Sequence, residues 1–307
     1  MMNAIERARL SLEGLSVGDA FGERFMGPPH RIVSFIARRA EPGGVWRWTD
    51  DTAMAVSIVD ELEERGAIDQ DALAQRFAEN FEPGRGYGAG AYKILSAIED
   101  GTHWRDASRS AFGGMGSLGN GAAMRVAPLG AFFSDDIDRC IDEARKSAEI
   151  THAHEEGIAG AIAVAVGAAL GFHRHGAELP NGREWLACVR DLVPPGTVRK
   201  GIETALALPA SATTKEAADV LGNGAAVTAS DTVPFCLWIA AWKSHDYAEA
   251  LWQTVSVFGD IDTTCAIVGG IASLQVGLEG IPDDWRRARE RLPLRLLTLA
   301  RVSGRPT

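Results

Sequence analysis

Two short acidic segments contain the residues of this sequence that are best suited to chemistry. The first is Trp48-Thr49-Asp50-Asp51-Thr52, and the second, far downstream, is Gly259-Asp260-Ile261-Asp262-Thr263-Thr264. Each segment precedes an apolar helical pattern, so each offers two carboxylates and a threonine at a helix start. One residue suffices to cap the first-turn amides of a helix, so a pair of aspartates exceeds what capping requires.

Oxygen ligands of this kind indicate a metal site. Carboxylates and hydroxyls are hard donors, which suit Mg²⁺, Mn²⁺ or Ca²⁺ rather than zinc. If the two segments meet, two divalent cations would balance their four aspartates, whereas carboxylates without cations would repel each other and their pKa values would rise. The pattern therefore favours a binuclear site. The alternative is a pair of unrelated capping clusters that never meet.

A third segment, Gly116 to Arg125 (GSLGNGAAMR), is rich in glycine. Glycines let backbone amides approach a ligand closely, and a phosphate would be the natural ligand. The segment is not a Walker loop, because no Gly-Lys-Ser/Thr follows, and it is not a dinucleotide fingerprint, because no strand precedes a GxGxxG. The alternative is an ordinary glycine-rich turn.

Helices are the elements that must position these segments. Apolar residues recur at three- and four-residue spacing along the chain, and period-2 alternation is almost absent. We therefore predict an all-α fold in a single compact domain spanning residues 1–307. The predicted helices are Ala53–Arg65, Gln70–Phe81, Ala91–Glu99, Ile137–Glu149, Ile158–Phe172, Val198–Leu208, Lys215–Leu221, Val233–Trp242, Tyr247–Phe258, Cys265–Leu278 and Asp283–Arg291.

Composition narrows the possible partners and location. The chain has 307 residues and a formal net charge of -10, which disfavours a nucleic-acid partner. Its four cysteines form no CxxC pair, so a reducing cytoplasm fits best. The charged N-terminus is unlike a signal peptide. Ile158–Phe172 has 15 residues, short of a membrane span, so we expect a buried core helix and no membrane partner.

Taken together, the motifs occur in the order found in ADP-ribosylglycohydrolases, and the chain resembles that family. The matching segments are Gly14-Leu15-Ser16-Val17-Gly18-Asp19-Ala20-Phe21-Gly22, the first acidic segment, Gly119 to Pro128, Thr151-His152 and the second acidic segment. The resemblance reaches as far as Trp285, nearly the whole chain. It implies an all-α, compact, single-domain orthogonal helical bundle with a central binuclear metal cleft that holds two Mg²⁺ or Mn²⁺ ions.

The resemblance also implies roles for individual residues. Six would bind the two divalent cations: Thr49, Asp50, Asp51, Asp260, Asp262 and Thr263. An aspartate shared by the cations, Asp51 or Asp262, would assist as the base. The loop would cradle the diphosphate and adjacent ribose of ADP-ribose through Ser117, Leu118, Gly119, Asn120, Gly121 and Met124. His152 would contribute to binding, and Tyr87 would either stack on a ring or be a plain surface tyrosine.

Two departures from the family pattern qualify these roles. Several members have a catalytic glutamate seven residues after the aspartate of Gly-Asp-Ala, where this chain has Met26. Either Glu23 reaches the cleft in its place as a catalytic residue, or catalysis depends on the metal-binding aspartates. Phe258 occupies a position where the family commonly has glycine.

The resemblance implies a metal-dependent hydrolase that removes ADP-ribose from a modified protein or small molecule and releases ADP-ribose. Arginine is the expected linkage on family grounds. The alternatives are O-linked ADP-ribosylserine, a small ADP-ribosylated guanidine, or a non-catalytic relative that binds ADP-ribose or serves as a crystallin-like structural protein.

Overall fold

A computed structural model describes residues 2–41, 43–173, 181–209 and 211–293. Within these ranges the chain is all-α, as predicted, and its β-structure is limited to isolated bridges between Trp46 and Arg289 and between Gly119 and Thr228. The helices in chain order are α1 (Ala4–Glu23), α2 (Pro29–Arg38), α3 (Asp50–Arg65), α4 (Gln70–Glu79), α5 (Ala89–Glu99), α6 (Trp104–Ser110), α7 (Ala127–Phe132), α8 (Ile137–Glu149), α9 (Glu155–Phe172), α10 (Gly182–Leu192), α11 (Thr197–Ala207), α12 (Thr214–Leu221), α13 (Ala229–Trp242), α14 (Tyr247–Val255), α15 (Ile261–Val276) and α16 (Asp283–Ala288).

Helix α1 lies against α15 more extensively than any other pair of the described helices. Three glycines at four-residue spacing, Gly14, Gly18 and Gly22, form the contact face of α1. A Cβ atom on Gly18 would lie 2.2 Å from the carbonyl oxygen of Cys265, and one on Gly22 would lie 2.6 Å from that of Ile261. Because real Cβ atoms cannot approach so closely, these glycines allow the backbones of α1 and α15 to touch. The contact brings the end of α1 to the start of α15.

The two helices that follow the acidic segments begin earlier than their apolar patterns predict. Helix α3 starts at Asp50 rather than Ala53, and α15 starts at Ile261 rather than Cys265. Asp50, Asp51 and Asp262 therefore lie in the first helical turns instead of in the preceding loops. Polar first turns carry no apolar periodicity, which explains the displaced starts.

Helix α9 is the apolar segment whose length and composition would allow a membrane span. It is mostly buried, and its neighbours include α7, α8, α10, α13 and α15. Small residues make this packing close, because a Cβ atom on Gly160 would lie 2.6 Å from the Cβ of Ala229 in α13. The segment thus packs as the core helix that its sequence predicts.

Several helices were not predicted, including α1, α2, α6 and α10. In α1 the glycines of the contact face lower the intrinsic helix propensity, and burial against α15 compensates for that loss. The prediction of one domain over residues 1–307 includes residues 294–307, which lie outside the described residues, and it stays a prediction.

Candidate functional site

A cleft of about 680 Å³ opens between the starts of α3 and α15 and the glycine-rich loop that precedes α7. Twelve of the fifteen residues predicted for the site line it: Asp50, Asp51, Ser117, Leu118, Gly119, Asn120, Gly121, Met124, His152, Asp260, Asp262 and Thr263. The two acidic segments therefore meet, and they are not separate capping clusters. The carboxylates form what we call the acidic end of the cleft, and the loop with Arg125 and His152 forms the loop end. The two ends meet where the side-chain amide of Asn120 hydrogen-bonds Asp260.

The start of α3 is held by Asp19 of α1. The carboxylate of Asp19 accepts hydrogen bonds from the backbone N–H of Thr49 at 2.9 Å and of Thr52 at 3.1 Å. It also accepts from the Thr49 hydroxyl at 2.9 Å and the Thr52 hydroxyl at 2.5 Å. Asp19 thus accepts from the amides of Thr49 and Thr52, and the Thr49 hydroxyl accepts from the amide of Asp51.

The Thr49 hydroxyl lies between two carboxylates. Its oxygen is 2.9 Å from Oδ1 of Asp19 and 3.0 Å from Oδ2 of Asp51. A hydroxyl has one proton and can donate it to only one of them. Either a carboxyl group is protonated or a positive charge must balance the pair. The second oxygen of Asp51, Oδ1, is buried and has no hydrogen-bond partner among the described residues.

The start of α15 presents its aspartates differently. Asp260 occupies the N-cap position, but its side chain makes no capping hydrogen bond. Its Oδ2 instead accepts a hydrogen bond of 2.6 Å from the amide of Asn120, which also donates to the Thr232 hydroxyl at 3.0 Å. Asn120 therefore orients Asp260 from the loop. The Oδ1 atom of Asp262 is buried and, within the described residues, has no hydrogen-bond partner.

Burial and mutual repulsion raise the pKa values of these carboxyl groups. Burial raises the pKa of Asp50 to about 7, with repulsion from Asp19 and Asp260 adding to the shift. The pKa of Asp51 rises well above its usual value through burial and then through Asp19 and Asp262. Burial, followed by repulsion from Asp260 and Asp19, does the same to Asp262. The carboxylates cannot all be ionised together at low cost without cations.

This donor set fits divalent cations. The unpartnered Oδ1 atoms of Asp51 and Asp262 are carboxylate oxygens on the cleft wall, and Thr263 adds a hydroxyl nearby. Among the described residues, no three His, Cys, Asp or Glu side chains form by themselves a group that could hold a metal ion. Mg²⁺ is commonly bound through one or two carboxylates and completes its coordination with ligand oxygens and water. The two cations stay a prediction.

The glycine-rich loop is fixed to the segment that precedes α13. The carbonyl of Leu118 accepts a 3.0 Å hydrogen bond from the N–H of Ala229, and the N–H of Asn120 donates to the carbonyl of Val227 at 3.3 Å. The ring of His152 lies against two of the loop glycines. A Cβ atom on Gly121 would lie 3.1 Å from Cε1 of His152, so a larger residue would push the ring aside.

Arg125 follows the loop and is the buried cation of the cleft. Its side chain is fully buried, with the guanidinium 4.6 Å from the centre of the Phe77 ring. Burial lowers the pKa of Arg125 to about 9, so the side chain stays charged at neutral pH. Burial, with the charge of Arg125, lowers the pKa of His152 to about 3, so the imidazole is neutral. The motif contained Arg125, but no role was predicted for it.

Three predicted residues do not line the cleft. The hydroxyl of Thr49 lies between the carboxylates of Asp19 and Asp51, as described above. Glu23, predicted as a catalytic candidate, ends α1 away from the cleft wall, and burial raises its pKa while Arg24 and Arg47 oppose the rise. The ring of Tyr87 packs edge-on against Phe81 with ring centres 4.7 Å apart, and its neighbours Gly86 and Gly88 form the wall.

Other wall residues were not predicted as site residues. The mouth contains exposed apolar side chains from Phe112, Met115 and Val227, and His154 lies beside them. Isolated apolar residues in loops give no periodic signal, so the sequence could not single them out. His154 was given no predicted role, and its Nδ1 accepts the N–H of Glu156 at 3.0 Å at the start of α9.

Phe258 adopts a conformation that usually requires glycine. Its φ is +60°, and that of Gly259 is +87°. A residue with a Cβ atom loses roughly 1–2 kcal/mol of conformational free energy when its backbone adopts this left-handed region. The sequence departure at Phe258 thus coincides with a backbone position at which glycine would be unstrained. The next residue but one is Asp260, so the strain lies beside the acidic end of the cleft.

The all-α fold and this cleft define a class of protein. The chain belongs to the ADP-ribosylglycohydrolase family, whose sequence model matches residues 1–305. The predicted family resemblance is thereby confirmed, and with it the broad activity, hydrolysis of bonds to ADP-ribose.

Particular relatives share most of their length with the chain. ADP-ribosylhydrolase ARH3 from Homo sapiens is 29% identical, with 94% of this chain and 90% of that protein covered. ADP-ribosylarginine hydrolase Tri1 from Pseudomonas putida (strain GB-1) is 26% identical over 92% of this chain and 74% of its own length. A solved structure titled ADP-ribosylglycohydrolase-related protein complex matches with a TM-score of 0.66 and 24% identity, covering 94% of each chain, and it supports the fold.

Proposed function

We propose that the protein is a metal-dependent hydrolase that cleaves the glycosidic bond between ADP-ribose and a modified arginine side chain, reversing mono-ADP-ribosylation. One observation carries the proposal. Two pairs of aspartates, with unpartnered oxygens on Asp51 and Asp262 and raised pKa values, converge at one end of a cleft whose other end is a glycine-rich loop. The acidic end suits the chemistry, and the loop suits a diphosphate.

Two divalent cations, Mg²⁺ or Mn²⁺, would be held by oxygens of the two acidic segments: Thr49, Asp50, Asp51, Asp260, Asp262 and Thr263. When bound, the cations would supply positive charge that polarises water and the ribose hydroxyls and balances the aspartates. The raised pKa values and the shared Thr49 proton support this role, because both features express a lack of positive charge.

The aspartates would handle the proton of the attacking water. Asp51 and Asp262 each have one oxygen that no protein group occupies among the described residues, and one of the two would accept the single proton that the attacking water loses. That proton balances the one that the leaving nitrogen takes up. The water oxygen forms a bond to C1″ of the ribose. The C1″–N bond breaks, its electron pair goes to the guanidine nitrogen, and that nitrogen takes up a proton. Positive charge develops on the sugar during this exchange and favours nearby carboxylates.

The opposite end of the cleft would hold the ADP portion. The loop from Ser117 to Gly121 and the neutral His152 would bind the diphosphate and the adjacent ribose, and Met124 would border them. The donors would be loop amides other than those of Gly119 and Asn120, which already donate to the Ser117 hydroxyl and the Val227 carbonyl. Local donors of this kind, together with cations, allow an acidic protein to bind an anionic ligand. Asn120 would act through Asp260, since its amide hydrogen-bonds that carboxylate.

Arginine as the modified residue is supported by one relative whose name includes ADP-ribosylarginine hydrolase. The name ADP-ribosylhydrolase ARH3 specifies no linkage. A cytoplasmic location is proposed because all four cysteines are free thiols in the structure. The expected partners are an ADP-ribosylated protein or small molecule, with neither nucleic acid nor membrane.

Release of ADP-ribose from two peptides tests the proposal. One peptide carries ADP-ribosylarginine and the other ADP-ribosylserine, and each is incubated with Mg²⁺, with Mn²⁺ and with a chelator. We expect release from the arginine peptide that stops in chelator. Release from the serine peptide alone would assign an O-linked substrate, and release that persists in chelator would contradict the metal requirement.

If neither peptide releases ADP-ribose, the proposed hydrolase activity is contradicted. Calorimetry with ADP-ribose would then separate the remaining alternatives. A binding module takes up ADP-ribose without turnover, and a crystallin-like structural relative binds neither ADP-ribose nor metal.

A further inference from the structure

A buried chain of hydrogen bonds runs from Arg125 to the imidazole of His152. Nη2 of Arg125 donates to the carbonyl of Ser147 at 2.9 Å and to the hydroxyl oxygen of Thr151 at 3.0 Å. A guanidinium can only donate hydrogen bonds. The Thr151 oxygen is therefore an acceptor in this contact, and its own proton is directed elsewhere.

The Thr151 hydroxyl lies 2.8 Å from Nδ1 of His152. Thr151 is fully buried, so its single proton needs a partner inside the protein. If Nδ1 accepts that proton, the Thr151 hydroxyl both accepts a hydrogen bond from Arg125 and donates one to His152. If Nδ1 were protonated and donated instead, the hydroxyl proton would have no acceptor among the contacts of the described residues. The hydrogen bonds thus favour an unprotonated Nδ1.

The other ring nitrogen faces the loop of the cleft. Nε2 would lie 3.3 Å from a Cβ atom on Gly121 and 3.4 Å from one on Gly119. In a neutral imidazole one nitrogen carries the proton, so an unprotonated Nδ1 leaves the proton on Nε2. The lowered pKa of His152, which results from burial and Arg125, agrees with a neutral ring.

We infer that Arg125 and Thr151 are positioning residues that fix His152 as the Nε2–H tautomer, which presents a neutral donor to an acceptor oxygen of the bound ADP-ribose. The assignment of ADP-ribose as the ligand rests on the proposed function. The tautomer does not, because it follows from hydrogen bonds inside the protein. A neutral donor holds a phosphate or hydroxyl oxygen at any pH at which the ring stays uncharged.

Nitrogen-15 NMR of the ligand-free protein labelled at histidine tests the tautomer directly. We expect the His152 signal to report a protonated Nε2 and an unprotonated Nδ1. A protonated Nδ1 would overturn the inference, whatever the protein binds. Thr151→Val, which keeps the shape of the side chain but removes the hydroxyl, should lose the preference, whereas Thr151→Ser should retain it.

Calorimetry with ADP-ribose tests the donor. Thr151→Val should bind about tenfold more weakly than the wild type, the equivalent of one hydrogen bond, and Thr151→Ser should bind within about twofold. Wild-type affinity in Thr151→Val would overturn the donor role. If the wild type itself binds no ADP-ribose, the proposed function fails, while the NMR result still decides the tautomer.

Arg125→Lys tests the first link in the chain. Lysine keeps the positive charge but lacks the rigid planar guanidinium, whose Nη2 donates to both Ser147 and Thr151 while Nη1 contacts the sulfur of Met54. We expect affinity for ADP-ribose to fall about fivefold, in parallel with a mixed tautomer signal. Unchanged affinity and an unchanged tautomer signal would remove Arg125 from the set of positioning residues.

Discussion

The two ends of the cleft respond to burial in opposite ways. At the acidic end, burial raises the pKa values of Asp50, Asp51 and Asp262. At the loop end, burial lowers the pKa values of Arg125 and His152. In both places the low dielectric disfavours the charged form, but the consequences differ because carboxylates are charged when unprotonated and bases when protonated.

This difference shows which end of the cleft needs additional positive charge. At the loop end, Nη2 of Arg125 has carbonyl and hydroxyl partners and His152 is neutral, so the end carries one charge and that charge is hydrogen-bonded. The acidic end gathers carboxylates with unpartnered oxygens, and the Lys and Arg side chains of the described cleft wall are limited to Arg125 of the loop end. We therefore expect the acidic end to depend on metal and pH, and the loop end to depend on hydrogen-bond geometry.

Neutralising one aspartate should have the largest effect. Asp262→Asn keeps the shape of the side chain but removes its charge and its capacity to accept a proton. We expect turnover to fall about 10²- to 10⁴-fold, while the metal-free protein becomes more stable because one repelling charge is lost. Stopped-time assays of ADP-ribose release and thermal unfolding in chelator measure the two effects.

The matched control is Asp142→Asn on the exposed face of α8. Full turnover in Asp262→Asn would mean that the site is elsewhere.

Removal of metal should make stability depend on pH. The pKa of Asp50 is about 7 in the folded protein and near 3.8 when unfolded, so between these values the folded state binds more protons. Stability from this group is present at low pH and is lost as pH rises through about 7. In the His152→Gln variant, which lacks the opposing pH dependence of that ring, we expect Tm in chelator to be on the order of 5 °C lower at pH 8 than at pH 5, and Mg²⁺ to restore it at pH 8. A Tm that is equal or higher at pH 8 in chelator would contradict the unbalanced acidic end.

His152 should show the opposite dependence. Its pKa is about 3 in the folded protein and 6.5 when unfolded, so the unfolded state binds more protons as pH falls below 6.5. Stability from the neutral ring is lost on acidification. Between pH 7 and pH 5 the wild type should lose about 2 kcal/mol of unfolding free energy relative to His152→Gln.

Urea unfolding of both proteins at each pH measures this difference and cancels the contribution of the carboxylates. His30→Gln, which changes an exposed histidine on α2, is the control and should follow the wild type. If His152→Gln also follows the wild type, the histidine is not held neutral by burial.

Substitutions of Phe258, which lies beside the acidic end, should have the smallest effect on stability. Because its φ is +60°, Phe258→Gly should be about 1 kcal/mol more stable than Phe258→Ala, although both lose the ring. The neighbouring pair Val257→Gly and Val257→Ala should show the usual order, with alanine the more stable. Urea midpoints compare the four variants. Equal stability of the two variants at position 258 would show that this residue can leave the left-handed region at little cost.

Much of the candidate site could be predicted from residue types. The aspartate pairs before two apolar helices, and the glycines between Gly116 and Gly121, predicted an acidic site and a loop, and both lie in one cleft. Helix boundaries were less well predicted, because Asp50 and Ile261 begin helices whose first turns carry no apolar pattern. Helix α1 was missed because its glycines look like loop residues until α15 is packed against them.

Sequence by itself determined the all-α class, the oxygen-rich donor set and the family, because these depend on residue type, spacing and order. Tertiary structure decided which residues meet. Glu23 has the right chemistry but ends α1 away from the cleft, whereas Arg125 had no distinguishing pattern and lies in the cleft wall. The physical reason is that long-range contacts, such as the glycine face of α1 against α15, set the position of each helix start, and no local pattern encodes that distance.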